Sequence, residues 1–143
     1  MILPDINLLI HAYNSGYRQH AAAREWLERL LRGTQGVAIA WAVLLGFVRI
    51  TTNPRILRNP FAPREALDIV GSWLELHHFT VVHPSARHFQ IFESLIERTG
   101  AAGNLTTDAH LAALAIERGL LLHTTDADFS RFPGLTWINP LES

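Results

Sequence analysis

Short apolar blocks alternate along this chain with longer stretches in which apolar residues recur every third or fourth position. The blocks are ILP at 2–4, GVAIA at 36–40, FTVVH at 79–83, LLLHT at 120–124 and LTWINP at 135–140. Each is short and apolar enough to read as a buried strand. Between them, INLLIHAY (6–13) reads as a helix, and HAAAREWLERLLRG (20–33) as a second, stopped by Gly33 as its C-terminal cap. WAVLLGFVRIT has Val43, Phe47 and Ile50 at near-helical spacing, and Pro54, Pro60 and Pro63 then punctuate a loop rich in Arg and Asn. Further helices are expected over 64–77, over 85–100 with Ser85 as N-cap, and over 108–119, closed by Gly119. Strands alternating with helices argue for an α/β layer fold around a mostly parallel sheet.

Composition narrows this picture. With 143 residues, 48% apolar and 17% charged, the chain has the make-up of one globular domain. A net charge of -1 provides no global basic field, so any nucleic-acid contact has to come from a local patch. Cysteine is absent, which removes disulfides, thiolate nucleophiles and cysteine metal sites, and fits a cytoplasmic protein. The start, MILPDINLLI, has no basic stretch and does not read as a signal peptide. The longest apolar run, VAIAWAVLLGFV, is too short to span a bilayer, so no membrane association is expected. All twelve basic residues are arginine. Without lysine, a P-loop ATPase, a Schiff-base enzyme and a phosphoaspartate receiver all lose a group they require.

The candidate chemistry lies in the aspartates. The tetrapeptide TTDA occurs at 106–109 and again at 124–127, placing Asp108 and Asp126 at either end of one helix–strand unit. In a parallel sheet, strands end on the edge from which the following helices start, and ligands bind outside that edge. Asp5 after the first strand, Asp126 after the LLLHT strand and Asp108 at a helix start are therefore expected on one edge. Each also has a structural reading. Asp108 would serve as a cap or first-turn residue favoured by the helix dipole, and Asp126 as an Asx-turn residue. Asp5 is harder to explain that way, because a carboxylate beside an apolar strand needs a partner. Three carboxylates together repel and raise one another's pKa unless a cation lies between them. A hard divalent ion, Mg2+ or Mn2+, is the natural resolution.

Three segments then carry a family resemblance: LPDINLLI, WAVLLGFVRITTNP and DAHLAALAIERGLLLHTTDADFSRFPGLTWINPL. Through them the chain resembles PIN-domain proteins, and specifically VapC-type toxins, over essentially its whole length. The resemblance implies a single domain over 1–143 with a three-layer α/β/α PIN-like fold and a central, mostly parallel sheet. It also implies a Mg2+-dependent endoribonuclease, the toxin of a type II toxin–antitoxin pair, acting on RNA, bound by a VapB-type antitoxin and usually homodimeric. Asp5, Asp108 and Asp126 match the family's metal-binding acids, and Thr124 matches a hydroxyl residue that supports them. Asp128 matches a further acid often found after the third. Asn7 matches a polar position of the opening motif, serving either to tie down the turn after the first strand or to contact substrate. The family usually has a glutamate in the helix after the second strand, where this chain has Gly46. That departure points to a one-metal or weakly two-metal site.

In this reading Asp5 and Asp108 are the principal ligands, with Asp126 and Asp128 holding metal-bound waters. Arg49, Arg55 and Arg58, around the Pro/Asn loop, are candidates for RNA phosphates, or else solvated surface arginines. A catalytic histidine is not expected. His77 and His78 close a helix, His20 and His88 read as surface helix positions, and His110 does not share a helix face with Asp108. The stripe Trp26, Leu27, Leu30 and Leu31 is best explained by core packing, with a partner-binding face as the alternative. Two other functions remain open: a PIN module that binds RNA or an antitoxin with little turnover, and a metal-dependent phosphohydrolase acting on a small phosphoester.

Overall fold

The computed structural model describes residues 1–142. Its sheet is built from β1 (Ile2–Pro4), β2 (Val37–Ala40), β3 (Phe79–Val82), β4 (Leu121–His123) and β5 (Trp137–Ile138). Their order is β3-β2-β1-β4-β5. Every neighbouring pair is parallel, so the sheet is wholly rather than mostly so. Such a sheet must be covered on both faces, which explains why its strands read as continuous apolar runs instead of alternating ones. All four residues of β2 are buried.

Six helices flank the sheet: α1 (Ile6–Tyr13), α2 (His20–Arg32), α3 (Trp41–Thr51), α4 (Pro63–Leu74), α5 (His88–Thr99) and α6 (Thr106–Arg118). Helix α1 packs on α2 and α3, and α5 packs on α6. Trp73, Phe47, Phe129, Leu3, Leu8 and Leu27 are among the largest fully buried side chains. The stripe on α2 belongs to this core. Trp26, Leu27 and Leu30 are buried and Leu31 packs against them, so core packing accounts for the stripe.

From β1 the chain winds outward through β2 to β3, then returns to build β4 and β5 on the opposite side of β1. The order reverses between β1 and β4, and the carboxyl ends of those two strands form the crevice where parallel sheets place ligands. Asp5 directly follows β1 and Thr124 directly follows β4. No helix of the described residues is long and apolar enough to cross a membrane.

Several boundaries differ from the sequence reading for tertiary reasons. Helix α4 ends at Leu74, so His77 and His78 lie in the turn that follows and close no helix. The His78 carbonyl accepts from the Val37 amide (2.8 Å), and its ring bonds the Leu30 carbonyl (3.0 Å). Those bonds pull the segment into register for β3. Helix α5 starts at His88, not Ser85. The Ser85 hydroxyl accepts from the Arg87 amide and donates to Glu117, fixing the turn before the helix. Gly33 caps α2 in extended backbone (φ -80), whereas Gly119 ends α6 in the left-handed conformation (φ 64) that glycine tolerates best. The last strand is two residues long, with Trp137 opposite Leu122 and Ile138 opposite His123.

Candidate active site

The backbone at the crevice is held before any side chain acts. The Asp5 amide donates to the His123 carbonyl (2.9 Å), extending the β1–β4 ladder by one residue. Asp5 occupies the N-cap position of α1 without making a side-chain cap bond. Its carboxylate is committed elsewhere: Thr124 Oγ1 donates to Asp5 Oδ2 at 2.8 Å. The same hydroxyl accepts from the Asp126 amide (3.0 Å), and Asp126 Oδ1 accepts from the Asp128 amide (2.9 Å). The second TTDA copy, with Asp128, is thus one hydrogen-bonded unit anchored on Asp5. Phe129, fully buried, pins the short turn that carries it. Asp126 makes the Asx-type bond and also lines the cleft that it shares with Asp5 and Asp108.

Asp108 is the third residue of α6 and lies in its first turn, while the N-cap position belongs to Leu105. It therefore does not cap the helix. Asp5, Asp108 and Asp126 line one cleft of about 300 Å³, together with Asn7, Asn104, Thr107 and Arg49. Mutual repulsion leaves its mark. Burial, opposed by the Thr124 bond and reinforced by Asp108 and Asp126, pushes the Asp5 carboxyl up to about 6. Burial also raises Asp108, with Asp126 and Asp128 adding to the shift and Arg131 opposing it. The four acids thus share one electrostatic neighbourhood.

The donor set is carboxylate and amide oxygen, with no imidazole among the residues lining the cleft. That chemistry suits a hard divalent ion. Among the described residues, however, no three His, Cys, Asp or Glu side chains stand close enough to hold a metal ion without moving. The acids fit in kind and in the cleft they share, and side-chain rotation would have to complete the convergence.

The remaining predicted residues divide. Asn7 is exposed at the cleft, and so is Arg49. Arg58 lines a separate cavity of about 390 Å³ with Tyr13, Asn14 and Ile56. Arg55 is exposed and lines neither cavity. Gly46 is buried in the cleft wall, and a Cβ there would overlap Ile6 Cδ1. The side chain that follows Asp5 therefore takes the space in which a side chain at position 46 would begin.

Sequence reasoning missed Arg131, whose Nε donates to the Asp128 carbonyl (3.1 Å), and also Asn104 and Thr107. A cation three residues after Asp128, and polar residues just before Asp108, were the available signals. His88, read as a surface position, is only 14% exposed in its side chain and bonds the fully buried Glu117 carboxylate. His123 is also buried. Its Nδ1 accepts from Trp26 Nε1 (3.1 Å), and burial holds its pKa down to about 4, so this neutral ring is structural.

The PIN domain family model matches residues 2–135. Ribonuclease VapC33 of Mycobacterium tuberculosis is 38% identical over 141 residues, covering 99% of each chain. Ribonuclease VapC37 of the same species is 36% identical over 140 residues, covering 98% of this chain and 97% of its own. Among solved structures, VapC20 of Mycobacterium tuberculosis, titled a Sarcin-Ricin loop cleaving toxin, has a TM-score of 0.67 at 21% identity, covering 95% of this chain and 99% of its own. VapBC2 of Rickettsia felis, bound to a promoter DNA fragment, has a TM-score of 0.66 at 22% identity, covering 96% and 98%. At such identities these structures share a fold with this chain.

Proposed function

The chain belongs to the PIN domain family, and from that premise we propose that it is a metal-dependent endoribonuclease, the toxin of a type II toxin–antitoxin pair. The names of its relatives over the full chain support the activity class. The observation that carries the assignment to residues is the meeting of Asp5, Asp108 and Asp126 on one cleft at the sheet's switch point.

Mg2+, or Mn2+ in its place, held by Asp5 and Asp108, would neutralise the scissile phosphate and activate a water for in-line attack. Thr124 ties the Asp5 carboxylate to the Asp126 backbone, which leaves the Asp108 and Asp126 side chains to turn towards Asp5. Asp126 and Asp128 orient water from the outer side of the site. Arg49, exposed at the cleft, receives an RNA phosphate by its planar guanidinium. Partners in this reading are the RNA substrate, a VapB-type antitoxin and a second copy of the chain.

Asp5→Asn keeps the Thr124 hydrogen bond and removes the charge. It is expected to abolish cleavage of RNA in Mg2+, with circular dichroism unchanged. Equal cutting by variant and wild type would refute the site. Gly46 and its occupant Ile6 favour one alternative: a PIN module that binds RNA or antitoxin with little turnover. Stoichiometric RNA binding by wild type with no cleavage in Mg2+ or Mn2+ would select that reading.

A further inference from the structure

A second cavity of about 330 Å³ adjoins the acidic cleft, lined by Ala42, His88, Phe92, Thr106, Thr107 and His110. Ala42 and Thr107 line both, so the two spaces share a wall. The size lies at the lower end of the range for small-ligand pockets, about 300–1,000 Å³. No arginine or lysine lines the pocket, so it offers a phosphate no guanidinium or ammonium. It offers aromatic faces instead: the His88 and Phe92 rings lie nearly parallel (15°) with centroids 6.4 Å apart.

A hydrogen-bonded chain fixes its polar edge. Glu117 Oε1 accepts from the Ser85 amide (3.1 Å), and Oε2 accepts from the Ser85 hydroxyl (3.1 Å). His88 Nδ1 lies 3.1 Å from Glu117 Oε1, and His88 Nε2 lies 2.9 Å from His110 Nδ1. A carboxylate can only accept, so His88 Nδ1 carries the hydrogen. Nε2 of His88 bonds His110 Nδ1, so each ring fixes the other and His110 Nε2 is the ring nitrogen left to face the pocket. Both nitrogens of His88 are thereby occupied. The polar groups left for a ligand are His110 Nε2 and the hydroxyls of Thr106 and Thr107.

We propose that this pocket is a nucleobase subsite, which takes the base of a nucleotide beside the scissile phosphate. The base stacks on Phe92, and His110 Nε2, oriented by Glu117 through His88, hydrogen-bonds its edge. The inference rests on the ribonuclease reading and deepens it: this pocket sets which nucleotide flanks the cut. Flat aromatic ligands joined to a phosphate match the adjacency of an apolar, ring-lined pocket to an acidic cleft. Single-stranded RNA is read in this way, by stacking and by hydrogen bonds to base edges.

The test uses the full-length protein and a cleavable RNA oligonucleotide, with an abasic residue placed in turn at each position flanking the cut. Wild type is expected to lose kcat/KM by roughly five- to hundredfold at one position, the range carried by one base on an aromatic face. In Phe92→Leu, which keeps apolar packing, and in His110→Ala, the penalty at that position should vanish while other positions keep theirs. An abasic profile identical in wild type and both variants overturns the subsite and leaves the nuclease assignment standing. So do variants that lose only antitoxin binding, since the pocket would then belong to a protein partner. If wild type cuts no RNA, the nuclease reading fails, and fluorescence anisotropy with the same oligonucleotides decides the subsite. A positional loss of binding that Phe92→Leu erases supports it, and a uniform profile overturns it.

Discussion

The Asp5 carboxyl is where the conflict between fold and function is sharpest. It is 3% exposed, and its pKa in the folded chain is about 6 against an ordinary 3.8. The folded state therefore binds this proton more tightly than the unfolded one, so ionising Asp5 opposes folding. The cost is absent at pH values below 3.8, grows as pH rises towards about 6 and is complete above that. A shift of this size corresponds to about 3 kcal/mol. In metal-free buffer at pH 7, Asp5→Asn is accordingly expected to raise stability by up to about 3 kcal/mol, an advantage that fades near pH 3.5. Urea denaturation of both proteins at the two pH values measures it, and an equal difference at both would show that Asp5 ionisation is not the cause. Saturating Mg2+ should stabilise wild type through binding to the native state and leave the variant unmoved. Thermal midpoints with and without EDTA test that directly. Metal binding has to compete with the proton on Asp5, so at limiting Mg2+ cleavage should weaken as pH falls through about 6, where the metal-free acid loses its charge, and saturating Mg2+ should move that loss to lower pH.

Between elements, the telling contact is α1 against α3 at Ile6 and Gly46. Glycine inside a helix costs about 1 kcal/mol relative to alanine, so its presence in α3 needs a reason. The reason is Ile6, whose Cδ1 occupies the space a Cβ would take. Gly46→Ala alone should gain little, because helix propensity is spent on displacing Ile6. With Ile6→Ala in place the gain of about 1 kcal/mol should appear. A double-mutant cycle in urea is expected to give a coupling of about 1 kcal/mol, and strict additivity would mean Ile6 does not fill the slot. At this scale most of the fold was legible from the sequence. The strands and α1 follow from apolar periodicity, and the shared edge of Asp5, Asp108 and Asp126 follows from parallel topology. The rest depended on distant partners. His88 looks exposed from its helix neighbours alone, because Glu117 and His110 are far along the chain. Helix α4 stops early because His78 bonds residues 37 and 30, which no local pattern encodes. Arg58 and Arg49 are close in sequence, yet α3 ends between them and sends their side chains to different cavities.

For the molecule as a whole, α3 also links the cleft to the outer surface. Gly46 and Arg49 line the cleft, while Trp41 and Leu45, one turn apart, are 49% and 65% exposed. Two large apolar side chains stacked on one helix face mark a surface that gains from being covered. The net charge of -1 offers no electrostatic barrier to self-association. The homodimer implied by the family reading is therefore expected to bury this face of α3. Light scattering at micromolar concentration should give twice the chain mass of 16.1 kDa. Leu45→Asp places a charge in the contact and is expected to return the mass to that of one chain. It does so without touching the core, since Leu45 points away from it. A dimer that persists in Leu45→Asp would mean that subunits meet elsewhere and that this face is free for the antitoxin. A wild-type monomer would refute the homodimer itself. If the dimer does form here, each cleft is carried by a helix whose neighbouring face is clamped by its twin. RNA cleavage by Leu45→Asp, compared at equal chain concentration, then measures how far the rigidity of α3 supports the site.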